Sequence, residues 1–142
     1  MLSDRTLGFL EGLAEASNAV FQEGGLLFTF KLAYQQAHVR LNRLPENASG
    51  ILSTHSFRFT DKAIEDLGRF FQGSLGDYTK EEPSRDALAI AHSLVERLHQ
   101  DLKFQSATLH VECEDYGMNA KLEMVQHANN NLFFLELWWS VD

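Results

Sequence analysis

The stretch HVECEDYGMNAKLEMVQHANNNLFFLELWWSVD, residues 110–142, decides the fold. Apolar and polar residues alternate through it in short runs, the period of a strand whose successive side chains point to opposite faces. Three runs, at about 106–114, 119–127 and 132–141, are separated by EDYG and by Asn129 to Asn131, which are turn formers. The pattern predicts a three-stranded antiparallel meander.

Tight turns fix register as well as direction. Pairing Ala128 with Asn131 sets Met124 opposite Leu135, Leu122 opposite Leu137 and Ala120 opposite Trp139. The first turn sets Val111 opposite Ala120 and Leu109 opposite Leu122. One face then carries Leu109, Val111, Cys113, Leu122, Met124, Phe133, Leu135, Leu137, Trp139 and Val141 toward the core. The pleat sends Ser106, Thr108, His110, Glu112, Lys121, Glu123, Val125, His127, Leu132, Phe134, Glu136 and Trp138 the other way. In this register Glu123 faces Glu136, a like-charge pair that destabilises a sheet unless a cation sits between the carboxylates.

Upstream of the meander the apolar period becomes helical. Ser3 can cap a helix to about Phe21, with Leu7, Leu10, Ala14 and Phe21 on one stripe, widened by Leu13, Ala16 and Val20, before Gly24-Gly25. Apolar positions at three and four spacing from Leu27 to Leu44 predict a second helix ending at Pro45, making an αα hairpin. The same residues also alternate as LLFTFKLAY, so a strand over Leu26 to Tyr34 is the competing assignment. PENASG, residues 45–50, is expected as a loop, followed by a short strand at Ser53 to Phe59. Thr60 caps a helix with Ile64, Leu67 and Phe71 inward, closed by Gly73. Ser84 caps a longer one to about Leu102, burying Ala87, Leu88, Ala91, Val95, Leu98 and Leu102. The whole is predicted as a single α+β domain over residues 1–142, N-terminal helices packed on the C-terminal meander.

Charge and composition narrow the function classes. Twenty acidic against twelve basic residues give a net charge of -8, which opposes phosphate binding and favours encounter with a basic protein. A direct nucleic-acid role is therefore not expected. The single cysteine, Cys113, leaves no internal disulfide and no zinc cluster, and as a core residue it would be a poor nucleophile. No apolar run is long enough to span a membrane, and the acidic N-terminal segment MLSDRTLGFLEGLAEAS does not resemble a signal peptide, so a cytoplasmic protein is expected. On that expectation the sequon at Asn47 goes unused.

Catalytic patterns are weak. His92, Glu96 and His99 share a helix side, and His110, Glu112 and Lys121 share a strand region, but neither set supplies a complete metal site. There is no nucleophile elbow, no HExxH and no phosphate loop. No cofactor, metal or catalytic residue is predicted. The remaining feature is the outer sheet face, where Phe134 and Trp138 are flanked by Glu123, Glu136, His110 and Glu112. Aromatic anchors with an acidic rim suit a non-enzymatic protein-binding module, such as a small acidic inhibitor or immunity-type protein that takes a basic partner. The same aromatics could instead pair two copies in a homodimer. A small-molecule-binding domain or minor enzyme, with a pocket between helices and sheet, is the rival of another class.

Overall fold

Hydroxyl residues mark the start of each helix, as a side-chain oxygen satisfies an N–H that the first turn leaves unpaired. Ser3 precedes α1 (Asp4–Val20), Thr60 precedes α2 (Asp61–Ser74) and Ser84 precedes α3 (Arg85–Leu102). Each accepts from the N–H three residues on, at 3.3, 3.2 and 3.2 Å respectively. The computed structural model describes residues 2–20, 27–36, 49–51, 59–76, 82–126 and 131–141. α2 runs past Gly73, the residue expected to close it, and the left-handed position falls on Gly76 at φ 95°. α3 closes on Lys103 at φ 48°, whose N–H returns to the His99 carbonyl at 2.8 Å.

Among the described residues, five antiparallel strands form one sheet: β1 (Leu27–Gln36), β2 (Ser49–Ile51), β3 (Ser106–Glu114), β4 (Gly117–Gln126) and β5 (Asn131–Ser140), in the order β1-β5-β4-β3-β2. The α+β class and the C-terminal meander are as predicted, but β1 lengthens the sheet beyond three strands and the three-residue β2 edges its other side. The expected αα hairpin is absent over 27–36, where the chain is strand. The helical period fits Leu27, Phe30 and Tyr34 and the strand period fits Phe28, Phe30 and Leu32, and the open edge of β5 decides between them by offering ten pairing positions. β2 begins inside the expected PENASG loop. The strand expected at Ser53 to Phe59 and the helix expected over 37–44 lie outside the described residues, apart from the buried Phe59.

The register of β3 and β4 is the expected one, with Val111 opposite Ala120 and Leu109 opposite Leu122. That of β4 and β5 is displaced by two residues: Met124 faces Phe133, Leu122 faces Leu135 and Ala120 faces Leu137. The ladder ends at Gln126 opposite Asn131, where Asn131 Nδ2 donates to Gln126 Oε1 at 3.0 Å, so four residues rather than two connect the strands. A slip of two preserves the faces and changes only the neighbours.

The three helices among the described residues contribute to one hydrophobic core on the same sheet face. Leu10 of α1, Leu67, Phe70 and Phe71 of α2 and Leu94 and Leu98 of α3 close over Leu109, Leu122, Met124, Leu135 and Leu137 without solvent contact. α2 lies on β3 and β4, while α1 packs beside α3 and against β1. Ser3 ties α1 to α3 by donating its N–H and hydroxyl to Asp101 Oδ2 at 2.9 and 3.0 Å, and Arg97 lies over the Phe9 ring at 4.8 Å. Among the described residues, no helix lies on the outer sheet face. None is long and apolar enough to cross a membrane.

Candidate functional site

The pleat places the side chains of three neighbouring cross-strand rows on the outer face. The first runs Ala33, Phe134, Glu123, Thr108; the second Lys31, Glu136, Lys121, His110; the third Trp138, Asn119, Glu112. All six residues singled out from the sequence, Phe134, Trp138, Glu123, Glu136, His110 and Glu112, therefore share one face. The facing Glu123 and Glu136 do not occur. The two-residue displacement sets Glu123 opposite Phe134 and brings Glu136 between Lys121 and Lys31, which replaces a repulsive pair by opposite-charge neighbours.

Exposure divides the six. Glu123 and His110 are only 6% and 7% exposed, Phe134 and Trp138 are half-buried, and Glu112 and Glu136 stand in solvent. The Trp138 indole N–H leans toward the hairpin tip and donates to Glu114 at 3.3 Å. His110 Nε2 lies 2.9 Å from Glu112 Oε1, within ion-pair range but off the line of a regular hydrogen bond. That contact and the His110 charge, with Lys121 further off, hold the Glu112 carboxyl below the usual carboxylate range.

Three outer-face participants escaped the sequence. Asn119, 7% exposed, donates from Nδ2 to Glu136 Oε1 at 3.0 Å, and the correct register was needed to set it opposite Trp138. Glu114 and Tyr116 stand at the β3–β4 turn, and Tyr116, 66% exposed, is the exposed large hydrophobic side chain among the described residues. The aromatic and acidic EDYG was the available signal, and a turn accounted for it completely.

The opposite face offers little chemistry. Cys113 has the inner-face parity expected of it yet is exposed, because the β3–β4 hairpin outruns the helices and burial fades from Val111 onward. It lines a shallow depression of about 260 Å³ with Lys62, Asp66 and Arg69, where Asp66 already pairs with Arg69 at 3.0 Å and Lys62 at 3.7 Å. His92 and Glu96 are exposed, whereas His99 turns its ring edge onto Phe104 at 5.1 Å, so that helix side does not assemble a site. Among the described residues, no three His, Cys, Asp or Glu side chains are grouped to hold a metal ion. No protein-family model, curated protein or solved structure matches the chain.

Proposed function

We propose that the chain is a non-enzymatic protein-binding module that takes a basic protein partner on its outer sheet face, in the manner of a small acidic inhibitor or immunity-type protein. The observation that carries this is the sidedness of the molecule. Among the described residues the helices all lie on the inner face, leaving Phe134 and Trp138 partly exposed among the solvent-facing carboxylates of Glu112, Glu114 and Glu136. Apolar contact area rimmed by charge of one sign is what a complementary surface of the other sign would dock on. Lys31 and Lys121 occupy one row only, and the net charge of -8 extends the attraction beyond contact range.

The test is association with a purified basic partner, obtained by capture from native extract at low salt. Glu112→Gln with Glu136→Gln should slow association several-fold and flatten its salt dependence, since both carboxylates are exposed and steer encounter. Trp138→Ala should speed dissociation about 10-fold, equivalent to about 1.4 kcal/mol. A partner whose rates ignore all three changes docks elsewhere, and the proposal fails.

A further inference from the structure

We infer that the group this face is built to receive is the guanidinium of a partner arginine, seated at Asn119 between Glu136 and Glu112 and against the Trp138 ring. The inference deepens the proposal of a basic protein partner and rests on it.

Asn119 carries the observation. Its Nδ2 is committed to Glu136 Oε1 at 3.0 Å, while its Oδ1 is buried and without a hydrogen-bond partner. A flipped amide would not cure this, because it would aim a carbonyl at a carboxylate, which only accepts. The orphan is therefore an acceptor, and buried acceptors are nearly always satisfied. Its cross-strand neighbours are Trp138 on one side and Glu112 on the other. The exposed Glu112 and Glu136 bring negative charge beside it, with Lys121 and Lys31 flanking Glu136 on the neighbouring row. What Asn119 Oδ1 lacks is a donor, and the exposed carboxylates of Glu112 and Glu136 favour a cationic one with several N–H groups.

Three chemistries would meet part of that need. A lysine ammonium supplies the charge, but as a compact and strongly hydrated point that gains little from an aromatic face. A hard divalent cation wants six or more oxygens, and no grouping of three or more His, Cys, Asp or Glu stands ready among the described residues. A guanidinium presents five donors in one plane, is weakly hydrated and stacks on an indole. One edge can serve Asn119 Oδ1 while the other reaches a carboxylate and the plane lies on Trp138. The Trp138 contact with Glu114, at 3.3 Å and exposed, is weak enough to yield as the ring moves onto the newcomer. Lys31 and Lys121 beside Glu136 moderate the repulsion among the carboxylates until then.

Tri-arginine and tri-lysine, equal in charge, are the probes. Titrated into isotopically labelled protein at low salt, tri-arginine should shift the Asn119 side-chain amide and the Trp138 indole N–H, and bind roughly 10-fold tighter than tri-lysine. Asn119→Leu, verified folded by its melting curve, should reduce that preference to under about 2-fold, while Asn119→Asp should keep it. Equal binding of the two peptides, shifts confined to other residues, or tighter displacement of the same two signals by calcium or magnesium would each overturn the inference. The probes need no native partner, so the two proposals fail separately. Arginine selectivity at Asn119 supports the site even if no basic protein is ever captured. A captured partner indifferent to Asn119→Leu overturns the site and leaves the basic-partner proposal standing.

Discussion

Trp139 donates its indole N–H to the Phe70 carbonyl at 2.9 Å and is 3% exposed, whereas Trp138, one residue earlier, is half-buried on the opposite face. The inner indole lies so close over Gly73 that a β-carbon there would occupy its six-membered ring. Gly73 is thus retained inside a helix, where glycine costs stability, to admit Trp139. Trp139→Ala should cost about 3–5 kcal/mol in denaturant melts through lost burial and a cavity, and Gly73→Ala about 1–3 kcal/mol by overpacking. Trp138→Ala should cost clearly less than Trp139→Ala. Equal losses at the two tryptophans would mean that the outer face is as tightly filled as the core.

At the scale of elements, α1 depends on a polar tie. Burial pushes the Asp101 carboxyl up, but hydrogen bonds from Thr6 and from the N–H and hydroxyl of Ser3 outweigh it and hold the group below 3.8. A depressed carboxylate stabilises the fold above its unfolded pKa, and that contribution fades as pH falls through the folded value. Asp101→Asn should therefore lower stability by about 0.5–1.5 kcal/mol at neutral pH. The difference from the parent should narrow below about pH 4, as urea midpoints taken across pH would show. Elements also show what could be read in advance. The β3–β4 register was legible because the turn is only two residues long, Asp115 and Tyr116, and leaves one pairing. The Asn-rich connection to β5 fits two lengths, and the sequence does not choose between them. Parity survives that ambiguity, so the six outer-face residues were grouped correctly. Charge pairing does not survive it, so Lys31, Lys121 and Asn119 as neighbours of Glu136 and Trp138 were hidden. β1 was misassigned for a different reason, since its partner lies at the far end of the described chain and no local window contains it.

For the molecule as a whole, sidedness bears on self-association. Two copies meeting through the outer face would bring Glu112, Glu114 and Glu136 against their own equivalents, at a net charge of -8 apiece. Like charges brought together in this way cost several kcal/mol in an interface. Sedimentation at low ionic strength should accordingly show a monomer, for the parent and for Trp138→Arg alike. A dimer in the parent that Trp138→Arg disperses would make a second copy, rather than a basic protein, the occupant of this face.

The pairing of β1 with β5 also governs when the molecule can be finished. β1 finds its hydrogen-bonding partner about a hundred residues further along the chain, whereas α2, α3 and the β3–β4 hairpin need only near neighbours. At synthesis rates of about 5–20 residues per second, the ten residues of β1 wait roughly 5–20 s after leaving the ribosome's catalytic centre before β5 exists. During that interval the segment is an unpaired strand with bulky apolar residues at alternate positions, the kind of sequence that associates with other nascent chains or is held by a chaperone. The β1–β5 ladder therefore cannot form until β5 has been synthesised, however early β1 is available.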